Sequence, residues 1–136
     1  MPNSWYDSGL EGFAAGNLDW DADNFRLVGI DENDDTPDLV NDDNLDDIIA
    51  GARVGTSGNF TGKTTVDGYL DANDVTVTAV SGDQYESFSI YLETGVESSS
   101  ILLLNFDTAA AGLPMTPDGG NIIYTWQGTS PFIARL

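Results

Sequence analysis

Hydrophobic positions along this chain follow two different periods. Near the start, Tyr6, Leu10, Phe13 and Ala14 recur at i, i+4, i+7 and i+8, the spacing that aligns side chains on one face of a helix. Ser4 is placed to cap that helix and Gly16 to close it, with Gly9 and Gly12 each weakening it by up to about 1 kcal/mol. Between Leu18 and Asp23 acids alternate with Trp20 and Ala22, which predicts an extended stretch with Asp19, Asp21 and Asp23 on one solvated face. Residues 24–30 are apolar enough for a strand buried on both faces. From residue 60 onward the pattern is that of short strands rich in β-branched and aromatic residues, at 60–66, 68–70, 75–80, 87–92, 100–106, 122–126 and 132–136. The clearest alternation sends Phe88, Ile90 and Leu92 inward and Ser87, Ser89 and Tyr91 outward. Turn chemistry separates the runs, at Asp67-Gly68, Asp71-Ala72-Asn73-Asp74, Ser81-Gly82-Asp83, Thr94-Gly95 and Asp118-Gly119-Gly120. The expected fold is mainly β, a β-sandwich or barrel-like domain with a short N-terminal helix.

One stretch breaks this scheme. Residues 31–47 hold nine acids in seventeen positions and no base, which predicts a long solvated acidic loop. At its end Asn44, Ile48, Ile49 and Ala52 allow a brief helix before Gly55. The whole chain of 136 residues fits one domain, 1–136.

Composition then narrows the chemistry. With no cysteine and no histidine, a disulfide framework, a Cys/His zinc site and a His-based triad are all excluded. Against 23 acids stand 4 bases, for a net charge of −19, and such a surface repels phosphate backbones and anionic membranes. Nucleic acid and membrane are therefore not expected as partners, and residues 1–5 show neither the basic nor the apolar part of an export signal. Asp accounts for 18 of the 23 acids, which suits turns and caps where Glu would suit helices.

Three motifs invite a chemical reading, and each has a plainer one. Ser57-Gly58-Asn59-Phe60-Thr61-Gly62-Lys63-Thr64 resembles a phosphate-binding loop whose first glycine is replaced, but β-like sequence follows it where a helix is required. Asp31, Asn33 and Asp35 mimic the first calcium ligands of an EF-hand, yet the loop has Thr36 at the glycine position and Asp42 where a bidentate Glu belongs. Trp5, Trp20 and Trp126 with Tyr85, Tyr91 and Tyr124 form a carbohydrate platform or, more commonly, a core. Paired carboxylates carry no diagnostic value among so many acids. No catalytic set, cofactor or metal is expected. The apolar, loop-like stretch 109–115 is a candidate contact segment.

Read end to end, the chain resembles a family of small virion proteins of tailed bacteriophages that decorate or cement the head. The likeness lies in the N-terminal helix followed by Leu18-Asp19-Trp20-Asp21-Ala22-Asp23-Asn24-Phe25-Arg26-Leu27, then Thr61-Gly62-Lys63-Thr64 and Tyr69-Leu70-Asp71-Ala72-Asn73-Asp74-Val75-Thr76. It continues through Ser89-Ile90-Tyr91-Leu92, Leu103-Leu104-Asn105-Phe106-Asp107, Ile123-Tyr124-Thr125-Trp126 and the closing Phe132-Ile133-Ala134-Arg135-Leu136. The acidic segment 31–47 is the departure. What the resemblance implies is a structural virion protein, not an enzyme, on the capsid surface, bound between major capsid subunits. A tail or head-fibre component is the alternative, and from another class a carbohydrate-binding module or polysaccharide-acting enzyme. Local threefold positions of a capsid lattice suit a homotrimer. Leu113, Met115, Phe132 and Ile133 are the expected interface residues, because they are apolar in a loop and at a chain end.

Overall fold

The computed structural model describes residues 4–107, 112–126 and 133–136. Among these residues it is mainly β, with several antiparallel sheets packed together, one short N-terminal helix and no closed barrel. The elements in chain order are β1 (Ser4–Trp5), α1 (Asp7–Ala14), β2 (Phe25–Ile30), β3 (Arg53–Thr56), β4 (Thr64–Val66), β5 (Tyr69–Asp71), β6 (Val75–Val77), β7 (Ser87–Leu92), β8 (Leu102–Phe106), β9 (Ile122–Tyr124) and β10 (Ala134–Arg135).

Three strands that read most clearly as apolar form the centre. A five-stranded sheet runs in the order β1-β8-β7-β2-β3, with Leu27 opposite Ile90 and Ile90 opposite Leu104. Smaller sheets, β10-β5-β4 and β6-β9, contribute Leu70, Val75, Val77 and Ile133 to the larger apolar cluster beside Leu27, Phe88, Ile90, Leu104 and Phe106. Burying each such side chain contributes about 1.5–3 kcal/mol, which makes this cluster the main source of stability. The hairpin between β4 and β5 turns at Asp67-Gly68, both at positive φ (53 and 81), as the Asp-Gly pair requires.

A second, smaller cluster holds Tyr6, Val28, Ile30, Leu45, Ile48, Ala52, Tyr91 and Leu102. Alternate residues of β2 and β7 divide between the two clusters, so the five-stranded sheet is covered on both sides. This corrects the expected outward face of β7: Ser87, Ser89 and Tyr91 are all buried, because Tyr6 and the turns around Leu45 and Ile48 cover them. The serines are accommodated by hydrogen bonds. The Tyr6 hydroxyl lies 2.8 Å from Ser89 Oγ, and the Asn105 side-chain amide donates to Ser87 Oγ and Ser89 Oγ at 3.2 and 3.1 Å.

The N-terminal helix exists, but its start and part of its packing face differ from expectation. Ser4 is in a strand opposite Asn105 and does not cap; Tyr6 stands at the cap position, while Gly16 closes the helix at φ 77. Leu10 is exposed, and the buried helical residues are Gly9 and Gly12. A Cβ on Gly9 would fall 2.8 Å from both the Cα and the carbonyl oxygen of Leu103. Gly9, which costs helix propensity, thus lets the helix backbone rest directly on β8, and Gly12 leaves room for the Leu18 side chain. Two strands, β1 and β3, went unread, and the expected brief helix is two 3-10 turns at Leu45–Asp47 and Ala50–Ala52. Asp19, Asp21 and Asp23 lie in a turn, not along a strand.

Candidate functional site

Of the expected contact residues, Leu113, Met115 and Ile133 are among those described. Ile133 is buried in the larger cluster and its N–H donates to Leu70 O at 3.0 Å, so the chain's own core uses it. Leu113 and Met115 are half-buried against the same cluster, and Met115 exchanges two 2.9 Å backbone hydrogen bonds with Tyr85. Phe132 and residues 109–111 lie outside the described residues.

The aromatic residues pack on one another. Trp20 stacks on Phe25 at 4.8 Å, Phe88 on Phe106 at 4.9 Å, and Trp126 stands about 6 Å from Phe60, Phe88 and Phe106. All three indole N–H groups donate to backbone carbonyls, those of Arg135, Asp71 and Asn73. The Tyr85 and Tyr124 hydroxyls meet at 2.6 Å, and burial raises both pKa values. The phosphate-loop look-alike is a turn into a strand: Ser57 Oγ accepts the Leu27 N–H at 2.9 Å, and Asn73 closes the loop through Thr61.

The acidic segment is where the structure adds most. Its carboxylates fold the backbone around themselves. Asp38 accepts the N–H groups of Val40 and Asn41 and the Asn41 side-chain amide, which holds its carboxyl below the usual range. Asp42 accepts the Asp38 N–H at 2.8 Å, Asp47 those of Asp43 and Asn44, and Asp35 that of Ile49. The same i, i+4 arrangement occurs at Asp19 and Asp23. The sequence pattern reads 31–47 as a solvated loop and Asp19, Asp21 and Asp23 as a solvated face, and the signal for this role is Asp repeated at a spacing of four.

The EF-hand-like triplet is rearranged. Asp31 is buried and accepts the Asn33 N–H, Asp35 turns to Ile49, and Asp31 instead meets Asp34 and Asp83, with carboxylate oxygens within 4.8 Å of one another. Nearby, burial, then Asp107 and Glu86, raise the Glu32 carboxyl pKa.

A cleft of about 240 Å³ opens beside this segment, lined among others by Val28, Leu45, Arg53, Tyr91, Glu93 and Glu97. Arg53 dominates it: the guanidinium donates to Leu45 O at 2.8 Å, to Ile48 O at 2.6 and 2.9 Å, and pairs with Glu97. Arg26 is engaged too, with Asn59 at 2.7 Å and Glu93 at 3.7 Å. Burial, then the Glu93 charge, pushes the Tyr91 hydroxyl up to about 12. Arg135 sits over the Tyr69 ring at 5.4 Å. Among the described residues, no helix is long and apolar enough to cross a membrane. Compared with known proteins, the chain matches no family model and no curated protein.

Proposed function

We propose that this protein is a structural component of a tailed-phage particle, an auxiliary capsid protein that decorates or cements the outer head surface between major capsid subunits. Its mechanism is binding, without catalysis: apolar contacts made only in the assembled, expanded lattice favour that state by mass action. One observation supports this reading above the others. The segments that resemble small virion proteins overlap successive strands: 18–27 enters β2, 69–76 runs from β5 into β6, 89–92 lies in β7, 103–107 begins in β8 and 123–126 begins in β9. The resemblance thus rests on several segments spread along the chain and not on one short motif. Self-association as a homotrimer belongs to the same proposal, with Leu113 and Met115 as the half-buried apolar candidates and Phe132 beyond the described residues.

The test is co-sedimentation of the purified chain with expanded capsids, followed by labelled electron microscopy of intact particles. Retention on heads supports the proposal. Label at the tail would move the protein to the alternative position, and glycan binding without any particle association would replace the proposal with a carbohydrate-binding role.

A further inference from the structure

The smaller apolar cluster is covered by a segment that repels itself. Leu45 and Ile48, with Leu39 at the margin, reach down from residues 31–50 onto Val28, Ile30, Tyr91 and Leu102. Its backbone ties include the bond from Asp7 N–H to Leu39 O at 2.9 Å and one antiparallel bridge, Asn44 opposite Ile101, made by Leu45 N–H to Ser100 O at 2.9 Å and Leu102 N–H to Asp43 O at 3.0 Å. Charge opposes this attachment. Nine acids crowd 31–47, and the neighbouring elements present Asp7, Asp83, Glu86 and Glu97, with Arg53 the base that grips the segment. Burial, then the charges of Asp35, Asp47 and Asp38, raise the Asp42 carboxyl above its ordinary value.

The geometry lets this segment move alone. It leaves β2 at Ile30 and rejoins β3 at Arg53, and these residues are paired neighbours, with Asp31 N–H on Ala52 O at 2.8 Å. Its two roots are thus adjacent, and lifting it leaves the pairing of β2 with β3 in place. The cleft lies mainly between β3, Tyr91 and residues 93–100, and Leu45 is the strap residue that borders it.

We propose that residues 31–50 form a strap that opens as one unit when ionic strength falls, uncovering the apolar face of β2, β7 and β8 while the five-stranded sheet stays folded. The physical cause is range. Carboxylate repulsion is screened within ~8 Å at 0.15 M salt but reaches ~30 Å at 0.01 M, whereas strand ladders and apolar contacts respond weakly to salt. Local opening of this kind draws on the low-stability end of a fold.

Hydrogen exchange of the full chain, read by mass spectrometry at neutral pH in about 0.01 M and about 1 M sodium chloride with a chelator present, tests the strap. Amides of residues 38–49 should exchange at least about tenfold faster at low salt, while those of β2 and β7 change by less than about twofold. Equal strap rates at both salts would overturn the proposal, as would acceleration spread evenly over the chain, which marks global unfolding. The double variant Asp34→Asn, Asp46→Asn removes two charges, and it should shrink the low-salt acceleration. An undiminished acceleration would show that repulsion is not the cause.

Discussion

The central strands and the acidic strap lie against each other and are held by opposite means. In β2, β7 and β8 the side chains leave water and the backbone pairs strand to strand, with Leu27, Ile90 and Leu104 in register and fully or almost fully buried. In the strap the side chains stay largely wet, and their carboxylates accept nearby backbone N–H groups, as Asp38, Asp42 and Asp47 do. The first device is insensitive to charge; the second consists of charge. An acidic surface of this kind is therefore part of the fold's construction and not merely a coat on it.

Substitutions separate the two devices, beginning with the largest effect. Phe88→Ala removes a ring stacked on Phe106 and edge-on to Tyr124 at 4.8 Å, and it should cost about 3–5 kcal/mol, seen as a lowered urea midpoint. A cost as small as that of a surface substitution would mean the central sheet is not the dominant region. Gly9→Ala drives a methyl group into the backbone of Leu103, and the expected loss is about 1–3 kcal/mol in thermal denaturation although the helix itself gains propensity. A stabilised variant would contradict the close packing of α1 on β8.

Arg53→Lys keeps the charge but loses the fork that reaches Leu45 O and Ile48 O together. About 1–2 kcal/mol should be lost, concentrated in the strap's exchange protection. The smallest effect is on acidification. Glu32 and Asp42 have raised folded-state pKa values, so their ionisation costs stability at neutral pH and that cost is relieved as pH falls through them. Asp38 is depressed, so its contribution is complete above its unfolded value of 3.8 and disappears as pH falls through the folded value. Stability measured from about pH 7 to about pH 3 should rise slightly on mild acidification and then fall. A monotonic fall from neutrality would show that the strained carboxylates do not matter.

Much of the central sheet was legible because burial writes itself into sequence. Strand β7 matches the predicted 87–92, β2 the buried run 24–30, and the Asp67-Gly68 turn its hairpin. What stayed hidden depends on partners distant along the chain. Ser87, Ser89 and Tyr91 look outward until Tyr6 and the strap arrive over them. Arg53–Thr56, with a charge and a glycine, carries little strand signal and gains its place by pairing with β2. Gly9 reads as a helix fault unless the strand beneath is known. Of the candidate interface, Ile133 illustrates the difficulty most plainly: an apolar residue near a chain end fits an interface and a core equally well in sequence, and here it fills the core.

The bond from the Trp5 indole to the Arg135 carbonyl, at 3.2 Å, links residues 130 positions apart, and β1 completes its sheet edge only by pairing with β8. In kinetic terms this is a fold of high contact order, in which loop closure must be paid for before the contacts that reward it can form. Folding on the millisecond-to-second scale follows for a two-state chain of this type. During synthesis β1 cannot complete its pairing until β8, far along the chain, has been made.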